Sequence, residues 1–262
     1  MNTIVCVKLV PEVADAELVL LEDGSDIERE DLVLDINEWD SFAVEEAVRL
    51  KEAHGGEVTA VTLGDDDAED VLRRALAMGA DRAVRIDAAA FAGTDAMGIA
   101  RGLAAAIRGR PFDLVLAGAQ AADDGWAAVG PMLAQLLALP YATLVVGIEV
   151  AGGKVRVERE LESSCREKVE LDLPALLTVQ TGINQPRYVS VMGIRKARAI
   201  AIEQSAAGAL GLGEGGPRAS CVAGRRLFLP EKGKGAQMLS GSMEAICGRA
   251  AEIIRERVGG VK

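Results

Sequence analysis

The sequence predicts an α/β protein built on a doubly wound, mostly parallel sheet, with an antiparallel extension and a C-terminal helical arm. Continuous apolar runs of strand length recur at residues 3–7, 57–63 and 112–117, as strands buried on both faces require. Amphipathic helical segments separate these runs, and a βαβ series of this kind predicts parallel pairing with ligands at the carboxyl ends of the strands. After Pro140 the alternation stops, and strand-like runs follow one another without helices between them.

Taken in order, the strand at 3–7 leads through an irregular acidic connection to a helix over 40–53. Its apolar side is Phe42, Val44, Ala47, Val48 and Leu50, and its wet side is Glu45, Glu46, Arg49 and Lys51. The strand at 57–63 ends in Gly64. A helix over 65–78 opens on Asp65, Asp66 and Asp67, whose charge suits a helix N-terminus, and closes at Gly79. A short strand at 82–86 precedes a helix over 94–107 with Thr94 as its cap. The strand at 112–117 enters a small-residue stretch, and the next helix has its body at 131–139. Strands at 142–150, 154–160, 165–171 and 175–179 follow, the first two joined by a hairpin turn at Gly152-Gly153. Residues 205–224, with the glycine-rich run 211–217, read as a linker, and an amphipathic helix over 242–258 comes last. The expected organisation is a nucleotide-binding α/β domain over 1–204 and a linker and docking helix over 205–262.

At 262 residues and 50% hydrophobic content the chain can bury one substantial core. Its net charge of −11 would repel a phosphate polymer, so no nucleic-acid partner is expected. Aromatic residues make up only 3%, so a base or flavin ring would meet mostly aliphatic walls. Cys6, Cys165, Cys221 and Cys247 are widely separated and form no C-x-x-C, which favours reduced, buried thiols over a disulfide framework or zinc site. No signal-peptide pattern precedes Lys8 and no run has the length of a bilayer span, so a cytoplasmic protein without membrane insertion is expected.

The richest stretch runs through Gly118, Ala119, Gln120, Ala121, Ala122, Asp123, Asp124, Gly125, Trp126, Ala127, Ala128 and Val129. A strand that ends in a small-residue turn and feeds a helix leaves backbone N–H groups unpaired over the end of the sheet, where an anion is favoured. The stretch has neither the Gly-Lys-Ser/Thr of a Walker A loop nor G-x-G-x-x-G. It suggests a nucleotide held by shape and backbone. No catalytic constellation and no metal site is expected. His54 lies at a helix end as a partner for the dipole, and capping accounts for Asp123-Asp124. Arg187, Arg195, Lys196 and Arg198 are interleaved with Tyr188, Val189, Val191, Met192 and Ile194. This segment is either a solvated strand-loop or a docking surface with an aliphatic anchor among cations.

Several runs together resemble the beta subunit of electron transfer flavoprotein. They are Val7-Lys8, residues 43–52, residues 75–82, the stretch from Gly118 to Gly130 with Gln120 and Asp123, and Leu173-Pro174-Ala175 leading to Asn184-Gln185-Pro186-Arg187-Tyr188. The match in order and spacing covers 1–203, and the tail from Ser205 is loosely similar. The resemblance implies a Rossmann-like fold of the adenine nucleotide alpha-hydrolase type and an electron-carrier subunit without turnover of its own. Its alpha partner would carry redox-active FAD, in that subunit or at the interface, and the heterodimer would take electrons from acyl-CoA or related dehydrogenases to an acceptor oxidoreductase. It further implies AMP in this subunit, contacted by Cys6, Asn37, Glu38, Trp39, Asp40, Leu63 and the 118–129 loop.

Trp126, Ala127 and Ala128 stand where relatives offer hydroxyl or amide side chains, so phosphate would rely on backbone N–H groups. Electron-bifurcating relatives bind a second FAD at this place, which accepts hydride from NADH. They carry threonine and glutamine at the positions of Trp126 and Ala128, and Asn-Pro-Asp where this chain has Asn37-Glu38-Trp39. That reading and a stand-alone adenine-nucleotide-binding regulatory protein are the alternatives. Residues 187–196 match the family's recognition loop, which inserts an aliphatic side chain into a dehydrogenase, with Val191 at the anchor position. Glu160 matches a glutamate that pairs with an arginine of the mobile flavin domain, and Ser163-Ser164 replaces the usual Gly-Gly after it. The compartment implied is the bacterial or archaeal cytoplasm, or the mitochondrial matrix in a eukaryote.

Overall fold

The computed structural model describes residues 1–13, 16–212, 220–222, 224, 226–230 and 235–258. In chain order the elements are β1 (Thr3–Cys6), β2 (Leu9–Pro11), β3 (Leu34–Ile36), α1 (Glu38–His54), β4 (Val58–Gly64), α2 (Glu69–Met78), β5 (Arg82–Asp87) and α3 (Ala96–Ile107). They continue with β6 (Leu114–Gly118), α4 (Val129–Leu137), β7 (Tyr141–Ala151), β8 (Lys154–Glu160), β9 (Arg166–Asp172), β10 (Ala175–Val179), α5 (Val191–Ala199), β11 (Ile202–Ser205) and α6 (Met243–Val258). None of the described helices is long and apolar enough to cross a membrane.

Nine strands form one sheet in the order β11-β5-β4-β1-β6-β10-β7-β8-β9. From β11 to β7 every neighbouring pair is parallel. β8 and β9 then extend the edge in antiparallel fashion. The β7–β8 hairpin turns on Gly152 and Gly153, both at positive φ, the backbone that a two-residue turn of this type demands. The acidic connection contains a small ribbon in which β2 pairs with β3.

The parallel strands β1, β4, β5, β6 and β10 are largely buried and separate two apolar layers. One gathers Val44, Val48, Val71 and Leu72 from α1 and α2. The other gathers Leu103, Ile107 and Leu133 from α3 and α4. The chain leaves β1 to build β4 and β5 on one side, then returns through α3 to place β6 on the other. Strand order therefore reverses at β1 and β6, the place where such sheets open a crevice.

Several local expectations change. Asp95, rather than Thr94, caps α3, its Oδ1 accepting the Gly98 N–H at 3.1 Å. A 3-10 turn over Asp66–Ala68 precedes α2, and none of the three aspartates makes a side-chain cap there. Glu45 and Glu46 are buried rather than on a wet face, because residues 184–187 fold over them. The basic segment is helical: α5 begins where the Ser190 hydroxyl accepts the Gly193 N–H. Within the expected linker, residues 206–212 form packed turns with Ala207 buried, and residues 213–219 and 223 lie outside the described residues. Residues 259–262, beyond α6, lie outside them too.

Candidate functional site

The carboxyl ends of β1, β4 and β6 open into a cleft of about 350 Å³. Cys6, Val7, Lys8, Leu63, Ala117 and Gly118 come from the strand ends, and Asn37 and Asp40 from the start of α1. Ala96, Ile99 and Leu103 line it from α3 and Thr94 and Asp95 from just before it, while Ala119, Gln120, Ala121, Asp124 and the run from Trp126 to Gly130 line it from the loop and first turn of α4.

Asp40 organises the strand ends. Its Oδ2 accepts the Lys8 N–H at 2.8 Å and its Oδ1 the Gly118 N–H at 3.0 Å. Burial pushes this carboxyl up to about 7, against the opposing pull of hydrogen bonds from Asn37, Lys8 and Gly118. Only glycine fits at 118, since a Cβ there would lie 2.3 Å from Asp40 Oδ1 and 2.7 Å from the Trp39 Cβ. Burial, and then the charge of Asp40, push the Cys6 thiol up to about 12, so it lines the cleft as an inert apolar group.

Asn37 clamps the loop from the other side. Its Nδ2 donates to the Gln120 carbonyl at 2.9 Å and its Oδ1 accepts the Ala122 N–H at 3.1 Å. Lys8 Nζ reaches Asp123 Oδ1 at 2.7 Å and Asp124 Oδ2 at 2.9 Å. Burial opposes the charge on Lys8, but its two carboxylate partners outweigh that and raise its pKa. The two aspartates therefore do not cap α4. Its N-terminus at Ala128 has no side-chain cap, and the first-turn amides of Val129 and Gly130 have no intrahelical partners.

Of the residues expected at a nucleotide, Cys6, Asn37, Asp40, Leu63, Gly118, Ala119, Gln120, Ala121, Asp124, Trp126, Ala127, Ala128 and Val129 line the cleft. Glu38, Trp39, Ala122, Asp123 and Gly125 do not. Glu38 is exposed, Trp39 donates its Nε1–H to Gln180 Oε1 at 2.7 Å, and Gly125 closes a turn onto the Ala121 carbonyl. The α3 side, Val7, Lys8, Ala117 and Gly130 line the cleft without having been expected there. A helix start following the carboxyl end of β5 was the available signal for Thr94 and Asp95.

The residues expected at partners lie elsewhere. Tyr188, Val191, Met192 and Ile194 are exposed, Tyr188 at 93% and Val191 at 74%, with Arg195 and Lys196 exposed beside them. Arg187 is turned inward, its Nε 2.8 Å from Glu45 Oε2 and its Nη1 2.8 Å from Glu52 Oε1. Glu160 is exposed and accepts from Gln180 Nε2 at 3.4 Å. Ser163 and Ser164 take φ of 59° and 60°, so the serines adopt the left-handed backbone that glycine would adopt more cheaply.

Comparison with known proteins matches the electron transfer flavoprotein domain over residues 26–210. Electron transfer flavoprotein subunit beta of Methylophilus methylotrophus is 37% identical over 265 residues, covering 99% of this chain and 100% of its own. The subunit of the same name from Bacillus subtilis is 40% identical over 207 residues, covering 79% of this chain and 80% of its own. Acryloyl-CoA reductase electron transfer subunit gamma of Anaerotignum propionicum is 37% identical over 198 residues, covering 74% of this chain and 73% of its own.

Proposed function

Because the chain belongs to the family of electron transfer flavoprotein beta subunits, we propose that it pairs with an alpha subunit carrying redox-active FAD and itself holds AMP. The supporting observation is the cleft. Its volume of about 350 Å³ lies within the ~300–1,000 Å³ range of ligand sites and accommodates a mononucleotide.

The residues present fit that group. The amides of Val129 and Gly130 and the dipole of α4 would hold the phosphate, with no lysine required, since Lys8 is engaged by Asp123 and Asp124. Ala119, Ala121, Ala127 and Ala128 keep the backbone approachable, while Leu63, Ile99, Leu103 and Trp126 offer apolar surface to an adenine ring. The flavin supplies the electron-carrying chemistry when bound. This chain's residues bind and orient.

The exposed face of α5 is read as the docking surface for an acyl-CoA or related dehydrogenase, with Val191 as the anchor and Arg195 and Lys196 as steering charges. Arg187 serves that surface from behind by rooting the segment on α1. Glu160 is read as the contact for a cation of the flavin domain, and an acceptor oxidoreductase completes the electron path.

Absorbance and mass spectrometry of the acid-released nucleotides of the purified heterodimer test this reading. One FAD and one AMP per heterodimer is the expected result. Two FAD and no AMP would replace it with the bifurcating reading, in which a second FAD takes hydride from NADH; the likeness to the acryloyl-CoA reductase subunit is the observation that favours that rival.

A further inference from the structure

The α3 side of the cleft also anchors the C-terminal arm. The Asp95 N–H donates to Ser220 Oγ at 2.8 Å, and the Ser220 hydroxyl donates to the Gly93 carbonyl at 3.0 Å. Asp95 Oδ2 accepts the Cys221 N–H at 2.8 Å and the Val222 N–H at 3.3 Å, while Oδ1 accepts the Gly98 N–H. Asp95 is buried, and these backbone donors, Gly98 first, hold its carboxyl below the usual range. The arm is tied a second time, where the Leu227 N–H donates to the Gly24 carbonyl at 2.8 Å.

One carboxylate thus serves two masters in the fold. Its first oxygen fixes the opening turn of α3, which lines the cleft, and its second fixes residues 220–222. Moving Asp95 to suit one side disturbs the other. Thr94, the neighbour of Asp95, lines the cleft as well. The peptide that joins Thr94 to Asp95 carries the N–H held by Ser220.

We propose that Asp95 is a positioning residue that couples the cleft to the C-terminal arm, so that a bound adenosine monophosphate tightens the seat of residues 220–222 and the seated arm slows nucleotide release. This rests on the reading of the cleft as an AMP site. Linkage makes the effect reciprocal: the factor by which a seated arm strengthens AMP binding is the factor by which AMP strengthens arm seating.

The test uses the full heterodimer, stripped of AMP and then titrated with it. Hydrogen exchange of the Cys221 and Val222 amides is followed, together with AMP release during a chase, in the wild type and in Ser220→Ala and Asp95→Asn. Asp95→Asn keeps an acceptor for the Gly98 N–H, and Ser220→Ala leaves Asp95 in place, so α3 is preserved in both. AMP is expected to slow exchange of the two amides roughly fivefold or more, the lower end of typical coupling, and both variants are expected to release AMP faster by a similar factor. Exchange indifferent to AMP, or wild-type release from Ser220→Ala, overturns the coupling while leaving the AMP site standing. Failure of AMP to bind the wild type overturns the reading of the cleft and the coupling with it.

Discussion

The carboxylate of Asp40 accepts the backbone N–H of Gly118 at 3.0 Å, joining the first turn of α1 to the last residue of β6. Its other oxygen takes the N–H of Lys8. One buried side chain therefore fixes three chain segments around the cleft, and its protonation has a measurable effect on stability.

Asp40 titrates near 7 in the folded protein, against ~3.9 in an unfolded chain. With the folded value the higher, the folded state binds the proton more tightly between those limits. The carboxyl's contribution is then fully present below pH ~4 and is lost as the pH rises toward about 7. Urea unfolding at pH 5 and pH 8 should show the wild type losing stability relative to Asp40→Asn, by about 1.4 kcal/mol per pH unit at most. A relative stability that rises with pH would contradict the assignment.

Gly130 sits where a Cβ would lie 2.3 Å from the Thr178 Cγ2. Gly130→Ala should cost roughly 1–3 kcal/mol by overpacking. Thr178→Ser removes that methyl and keeps the hydroxyl that accepts the Leu144 N–H, so the double variant should recover most of the loss. Thermal melts of the four proteins measure the coupling, and strictly additive losses would refute the contact.

Two arginines eight positions apart in the sequence, Arg187 and Arg195, differ sharply in setting. Arg187 pairs with the buried Glu45, so Arg187→Met should destabilise the fold by about 2–3 kcal/mol, below the ~3–5 of a fully isolated buried charge because Arg49 also reaches Glu45. Arg195 is exposed, and Arg195→Glu should leave the melting midpoint nearly unchanged. It should instead slow flavin reduction by the dehydrogenase, with a deficit that shrinks at high salt. A salt-independent deficit would remove its steering role.

The sequence carried the parallel strands, the Gly79 and Gly152-Gly153 stops and the 118–129 loop, because each is written in local pattern. Glu45 shows the limit of that reading. By helical periodicity it belongs on the wet side of α1, yet Arg187, 142 residues away, covers it. The α3 side of the cleft was hidden for the same reason, since Asp95 meets residues 220–222 only in three dimensions. Thr94 and Asp95 are both good caps by type, and only geometry chose between them. Asp123 and Asp124 likewise read as caps until Lys8, 115 and 116 residues away, was seen to hold them.

Cys6 should resist alkylation at neutral pH and react only after unfolding, because burial and Asp40 hold its thiol at about 12. Mass mapping of iodoacetamide adducts before and after denaturation checks this. Native labelling of Cys6 would show that the floor of the cleft is open.

Calorimetric titration of AMP into the nucleotide-stripped heterodimer, with wild type and Val129→Pro side by side, tests the central claim most directly. Proline at the first helical position removes one amide, and circular dichroism of the variant checks that α4 still forms. The wild type should bind one AMP, and the variant should bind about 10- to 100-fold more weakly, as loss of a ~1.5–3 kcal/mol hydrogen bond to a charged group implies. Equal affinity in the two proteins, or no binding by the wild type, would contradict a phosphate held by the first turn of α4.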